Sequence, residues 1–287
     1  MTASIIACFD DDAHADSAVG DHAAWAARRL GAPLCLLHVL EHAGSGAQGD
    51  LSGQIGLGAR EQLLDDLTEE DARQARRARE QGRAMLQALS ERLSSRVDEI
   101  STLQRHGEVE STLAELCRDN MLLVVGRCGR RHALGEDRRP LGEHLESLAH
   151  TVTSPLMIAP DEYHEPQRVL IAFDGSARAL RQVEWLIECG WLKGLECHVV
   201  QVGESASANT PETAVERLSA AGLSGRAVTL EGEARQQLPS YAREQQIDFT
   251  VMRAYGHSSL RRWLSGSTTH HLLEHMPGAL LLLRSRG

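Results

Sequence analysis

The residues best suited to chemistry lie in one glycine-punctuated stretch near the C-terminus, Arg253-Ala254-Tyr255-Gly256-His257-Ser258-Ser259-Leu260-Arg261-Arg262-Trp263-Leu264-Ser265-Gly266-Ser267-Thr268-Thr269. It follows an apolar run and leads into a helical pattern. Gly256 lets backbone come close to a ligand. Gly266-Ser267, at a helix start, offers N–H groups, a hydroxyl and the positive end of the helix dipole. Together these suit a phosphate. The bland alternative is that Gly256 is a turn and Ser267 an ordinary N-cap.

Other clusters are weaker. Asp10-Asp11-Asp12 contains enough carboxylate for a Mg²⁺ ion, but three adjacent side chains at a strand end point in different directions, so a solvated N-cap is the better reading. His271 and His275 stand four apart on a predicted helix, a spacing able to hold zinc. No third ligand is identifiable, and they read as structural or surface residues, so no metal site is assigned. Catalytic signatures are missing: there is no Gly-x-Ser-x-Gly elbow and no Walker loop. Ser176 in Asp174-Gly175-Ser176 reads better as an N-cap than as a nucleophile.

The elements that position these residues occur twice. Ile6-Ala7-Cys8-Phe9-Asp10 is matched about 160 residues later by Leu170-Ile171-Ala172-Phe173-Asp174, each an apolar run ending in aspartate. Leu36-Leu37-His38-Val39 matches Val199-Val200-Gln201-Val202, and Gly107-Glu108 matches Gly232-Glu233. Val124-Val125-Gly126-Arg127-Cys128-Gly129 likewise matches Val251-Met252-Arg253-Ala254-Tyr255-Gly256. A repeat this long is a duplicated domain. Short apolar runs alternating with amphipathic ones predict an α/β fold, with a parallel sheet covered by helices in each half.

In the second half the alternation predicts strands at 168–173, 197–202, 226–230, 248–252 and 279–284. Helices are expected near 177–189, 211–221, 234–246 and 267–275. The first-half strands fall near 4–9, 34–40, 98–104, 121–126 and 155–159. Domain boundaries of 1–160 and 167–287 follow, joined by the Pro160–Pro166 linker. The first half also carries an apparent insertion at 41–96: a Gly-rich stretch from Gly44 to Gly58 and then a charged helical run, Ala59 to Arg96, of about 50 Å. Its charge predicts a solvated face or a cover over the partner domain.

Composition narrows the function. The chain has 287 residues, a net charge of −10 and dispersed Lys and Arg, and so lacks the basic footprint of a nucleic-acid binder. Aromatics at 3% exclude interleaved stacking platforms for single strands. No apolar window approaches a membrane span, and the N-terminus does not read as a signal peptide. Six cysteines, at 8, 35, 117, 128, 189 and 197, form no Cys-x-x-Cys pair and read as core hydrophobes of a reducing compartment. A cytoplasmic protein is expected.

With its strand-Asp starts, His38-Val39, Gly-Glu helix starts and the loop from Arg253, the whole chain resembles the universal stress protein family as two tandem domains. The resemblance implies open, doubly wound (Rossmann-like) sheets, each of five mainly parallel strands with helices on both faces, that bind ATP or another adenine nucleotide at the strands' carboxyl ends, with Mg²⁺ if ATP is bound. Its nucleotide motif is Gly-x2-Gly-x9-Gly-[Ser/Thr].

In the second half the resemblance places Gly256, Gly266, Ser267 and Thr269 at phosphate and ribose contacts, Asp174 at the first strand's end and Val202 at the adenine. Arg253 replaces the motif's first glycine, and either supplies charge to a phosphate or fills the space the ligand needs. In the first half the equivalents are Asp10, Val39, Gly126, Gly129 and Gly142. There Glu143 and Leu145 replace the hydroxyl positions, and poor or absent ATP binding is expected. The arginines at 127, 130, 131, 138 and 139 leave another anion open in that loop.

The resemblance also implies an intramolecular pseudo-dimer paired through the fifth strands, with further homo-oligomer formation left open. The rival readings are a slow ATPase or phosphotransferase, with Asp174 and Arg253 near the phosphates, and a nucleotide-independent interaction scaffold built on the long helix.

Overall fold

In the computed structural model the described residues are 4–9, 17–40, 57–117, 122–127, 145, 147–148, 152–203, 209–254 and 267–284. Ten strands form one continuous sheet. The first half contributes β1 (Ile5–Phe9), β2 (Leu34–Leu40), β3 (Ile100–His106), β4 (Leu122–Gly126) and β5 (Leu156–Ala159), with helices α1 (Ala18–Leu30), α2 (Leu57–Leu93) and α3 (Val109–Leu116). The second half contributes β6 (Arg168–Ala172), β7 (Glu196–Val202), β8 (Gly225–Leu230), β9 (Phe249–Ala254) and β10 (Ala279–Arg284). Its helices are α4 (Ala177–Glu188), α5 (Pro211–Ala220), α6 (Ala234–Glu244) and α7 (Ser267–His275).

The order across the sheet is β3-β2-β1-β4-β5-β10-β9-β6-β7-β8. Within each half the described pairs are parallel, as connections through helices require. The halves join where β5 meets β10 antiparallel, with Ile158 opposite Leu280 and Leu156 opposite Leu282. Central strands such as β4 (LLVVG) and β10 (ALLLLR) are continuous apolar runs because helices cover both sheet faces. Each face has its own core, and each core takes residues from both halves: Trp25, Leu36 and Leu89 with Trp191 and Phe249 on one face, Leu37 and Leu123 with Leu170 and Leu280 on the other.

Strand boundaries in the second half fall within two residues of the alternation reading. In the first half the third strand begins at Ile100 instead of 98, because the Arg96 and Val97 amides close back onto the Leu93 carbonyl to end α2. The charged run also differs from expectation. Leu86, Leu89 and Leu93 of α2 are buried against β2, β3 and α1 of its own half, the place that Pro211, Ala214 and Leu218 of α5 take in the second half. The extra length therefore lies ahead of Gly82, and the rest of the run is an ordinary sheet-covering helix.

Gly82 lies close against β2, since a Cβ there would stand 2.2 Å from the His38 Nδ1. The turn out of α2 also ties the linker down. Asp21 of α1 accepts from the guanidinium groups of Arg92 and Arg96, and the Arg96 guanidinium lies 5.3 Å from the Tyr163 ring.

His22 of α1 is buried in the same place, its Nδ1 2.8 Å from the Ala18 carbonyl and its ring edge-on to Tyr163. Burial lowers its pKa to about 4, against a smaller raising effect of the Ala18 hydrogen bond and of Asp21. The folded state thus holds the ring neutral, while the unfolded chain takes up a proton below about pH 6.5. Stability from this group is complete above that pH and is lost as pH falls towards 4. We expect acidification from pH 7 to 5 to cost wild type about 2 kcal/mol more than His22→Gln, read from urea midpoints. Equal losses in the two proteins would refute the assignment.

Candidate functional site

Strands β7, β6 and β9 lie side by side and parallel, so their carboxyl ends form one rim. From β6 the chain winds outward through β7 and β8, then returns to β9 on the other side of β6. The crevice at the β6/β9 carboxyl ends is therefore the topological switch point at which open α/β sheets take their ligands.

The turn out of β6 is built by three consecutive residues. Asp174 Oδ1 accepts from the Ser176 amide at 3.0 Å, Gly175 adopts φ +76, and Ser176 Oγ accepts from the Ala179 amide at 3.1 Å. Ser176 is thus the N-cap of α4, as its position suggests. Arg253, one residue from the end of β9, reaches across the crevice, where its Nη1 donates to Ser176 Oγ at 3.4 Å. Val202 ends β7 and is buried, and Gly203 beyond it takes φ +77 with its amide donating to the Leu230 carbonyl at 2.8 Å.

Asn209 closes the rim by donating from Nδ2 to the Gly175 carbonyl at 3.1 Å. Sequence reading missed this residue. Its cue was an asparagine placed just before the Thr210-Pro211 start of α5. Ser267 and Thr269 lie in the first turn of α7, while Gly256 and Gly266 lie outside the described residues. The structure thus brings Asp174, Ser176, Val202, Asn209 and Arg253 to one rim around a partly buried cation.

The first half has a different rim. Val39 is buried at the end of β2 and Gly126 ends β4; Asp10, Gly129, Gly142 and Glu143 lie outside the described residues. Leu145 has helical backbone and is a core residue beside Leu148 and Val152, so its position serves apolar packing and offers no hydroxyl. Arg127 is committed elsewhere: its guanidinium donates to the Met276 carbonyl at 2.8 Å and to the Gly278 carbonyl, both in the turn between α7 and β10. Of the arginine-rich loop, the one described residue serves the contact between halves. Arginines 130, 131, 138 and 139 lie outside the described residues.

No group of three metal-ligating side chains occurs among the described residues. His271 and His275 stack with centroids 3.9 Å apart, and the His275 Nδ1 lies 2.9 Å from the His271 carbonyl. Among the described residues no helix is long and apolar enough to cross a membrane.

The model of the universal stress protein family matches the chain twice, over residues 1–160 and 165–284. The chain belongs to this family. A universal stress protein of Synechocystis sp. is 27% identical over 280 residues, covering 94% of this chain and 96% of that protein. A universal stress protein from Archaeoglobus fulgidus DSM 4304 superposes with a TM-score of 0.66 at 17% identity, covering 99% of this chain and 98% of its own. A functionally unknown protein from Pseudomonas aeruginosa PAO1 gives 0.60 at 16% identity, covering 99% and 92%. At such identities the shared property is the fold. Two universal stress protein units within one chain agree with the antiparallel β5–β10 seam, which makes the molecule a pseudo-dimer of its own halves.

Proposed function

We propose that this universal stress protein is a cytoplasmic binding module whose second half holds an adenine nucleotide at the β6/β9 crevice, while its first half is structural. The observation that carries the reading is the meeting of Arg253 and Ser176 over the end of β6. It sets a cation beside a helix N-terminus at the switch point, and that charge together with the positive end of the helix dipole favours a phosphate. The first turn of α7, with Ser267 and Thr269, would supply further donors, alongside Gly256 and Gly266. Val202 would meet the adenine through its backbone, and Asp174 would face the ribose or a Mg²⁺ accompanying ATP. Arg253 thus acts as a phosphate contact. Buried thiols fit a reducing compartment: desolvation pushes Cys117 and Cys197 up to about 12, which leaves them inert.

Calorimetry against ATP, ADP and AMP tests the reading. The expected result is one site per chain, with a dissociation constant below millimolar for at least one of the three. Arg253→Ala is expected to weaken binding about tenfold or more, the worth of a hydrogen bond to a charged group. Tighter binding by that variant would show that the arginine blocks the crevice. No heat at millimolar ligand, with no nucleotide released from the purified protein, would refute the site itself.

A further inference from the structure

A buried polar atom at the carboxyl rim lacks a hydrogen bond. Gln201, the next-to-last residue of β7, is 8% exposed, and its Oε1 finds no donor among the described residues. The other atom of the amide fixes its orientation. Nε2 donates to the Gly203 carbonyl at 3.1 Å, and only the nitrogen can serve a carbonyl there. That bond folds the carboxamide towards the carboxyl end of the strand. Thr229, the neighbour of Gln201 in register on β8, gives Oε1 no hydrogen bond. A buried acceptor left unpaired is costly, so Oε1 is set for a donor that the described chain does not itself supply.

Register brings this atom level with the cation of the same crevice. Ala172 pairs with Val200 and Ile171 with Val251, so Gln201, Phe173 and Arg253 stand side by side on β7, β6 and β9. Alternation sends all three side chains to the sheet face that carries Ile171, Val199 and Val251. Gln201 and Arg253 therefore flank the buried Phe173, about 10 Å apart at two strand spacings. A phosphate held at Arg253 leaves the base of a nucleotide to reach the β7 side. Both backbone groups of Gly203 are engaged there, the amide by Leu230 and the carbonyl by Gln201 itself. The matching residue of the first half is differently placed, since His38 meets Gln104 of β3 at 3.2 Å.

We propose, resting on the adenine-nucleotide reading of this crevice, that Gln201 is the residue that selects the base. Its Oε1 accepts from the 6-amino group of adenine. A 6-oxo purine would set a carbonyl oxygen against it and is turned away.

Calorimetry with ATP, ADP and AMP, each against its inosine counterpart, tests this. Wild type is expected to favour the adenine member at least tenfold, as a site with a buried acceptor rejects a ligand that cannot donate to it. Gln201→Leu should weaken adenine binding about tenfold and leave inosine binding unchanged or tighter, so that the preference collapses. Without nucleotide, the same variant should keep or raise the thermal midpoint, because an apolar side chain removes the unpaired acceptor. Gln201→Met repeats both measurements with a longer, unbranched side chain. Equal wild-type affinity for the two bases would overturn the proposal while leaving the site in place. So would equal weakening of both bases in the variants, or a midpoint lowered by more than about 3 °C, the mark of a structural amide. Wild type that binds neither adenine nor inosine nucleotides would remove the site, and the role of Gln201 with it.

Discussion

Trp25→Ala is expected to lower the unfolding free energy by about 4 kcal/mol, the usual cost of truncating a buried large aromatic. Trp25 belongs to the first half yet packs in an aromatic trio with two second-half residues. Its ring centroid lies 5.7 Å from Trp191 and 5.3 Å edge-on from Phe249, which themselves stack at 5.9 Å. Such pairs add about 0.5–1.5 kcal/mol each beyond burial. Arg29 completes the arrangement: its guanidinium lies 4.7 Å from the Trp25 ring, and it donates to the Trp191 carbonyl at 3.0 Å. Removing Trp25 therefore loosens the union of the halves as well as one core. Trp25→Phe should cost much less, because the indole N–H is buried and finds no acceptor among the described residues. Urea unfolding followed by circular dichroism checks both values, and a loss below about 1 kcal/mol for the alanine variant would exclude the trio as a main support.

Gly278→Ala should be of similar size, about 2–5 kcal/mol, for a different reason. Gly278 has φ +69, which an L-residue adopts only with strain, and a Cβ there would lie 2.1 Å from the Asp248 carbonyl oxygen. Backbone has to move, and what moves is a junction. The Asp248 carbonyl accepts from Ala279 at the start of β10, and its carboxylate accepts from the amides of Gln167 and Arg168 at the start of β6. The Gly278 carbonyl in turn accepts from Arg127 of the first half. One methyl thus disturbs β6, β9, β10 and the contact between halves together. Thermal melting is the measurement, and a shift of less than about 2 °C would show that the turn relaxes without loss.

Much of this architecture was legible because parallel strands buried on both faces are continuous apolar runs, as in Leu122-Leu123-Val124-Val125 and Leu280-Leu281-Leu282-Leu283. What was not legible depends on contacts between distant residues. Nothing local to Arg127 shows that it reaches carbonyls some 150 positions away, and nothing local to Trp25 shows Phe249. The end of the extra segment, expected at 96, was placed too late because one helical period runs unbroken through Gly82, and only the packed sheet separates the covering part of α2 from the part ahead of it. At the candidate site, Asp174 and Val202 follow from their places at strand ends. Asn209 does not, since its role depends on a turn in another element.

The seam between β5 and β10 has one more consequence. A single-domain chain that pairs with its twin must write every substitution into both sites at once, and must be concentrated enough to pair. Here the two partners share a backbone, so neither dilution nor exchange with a sibling chain separates them. Leu145 in one half and Arg253 in the other are therefore private changes. Each alters one rim and leaves its counterpart free to keep, or to lose, its own ligand.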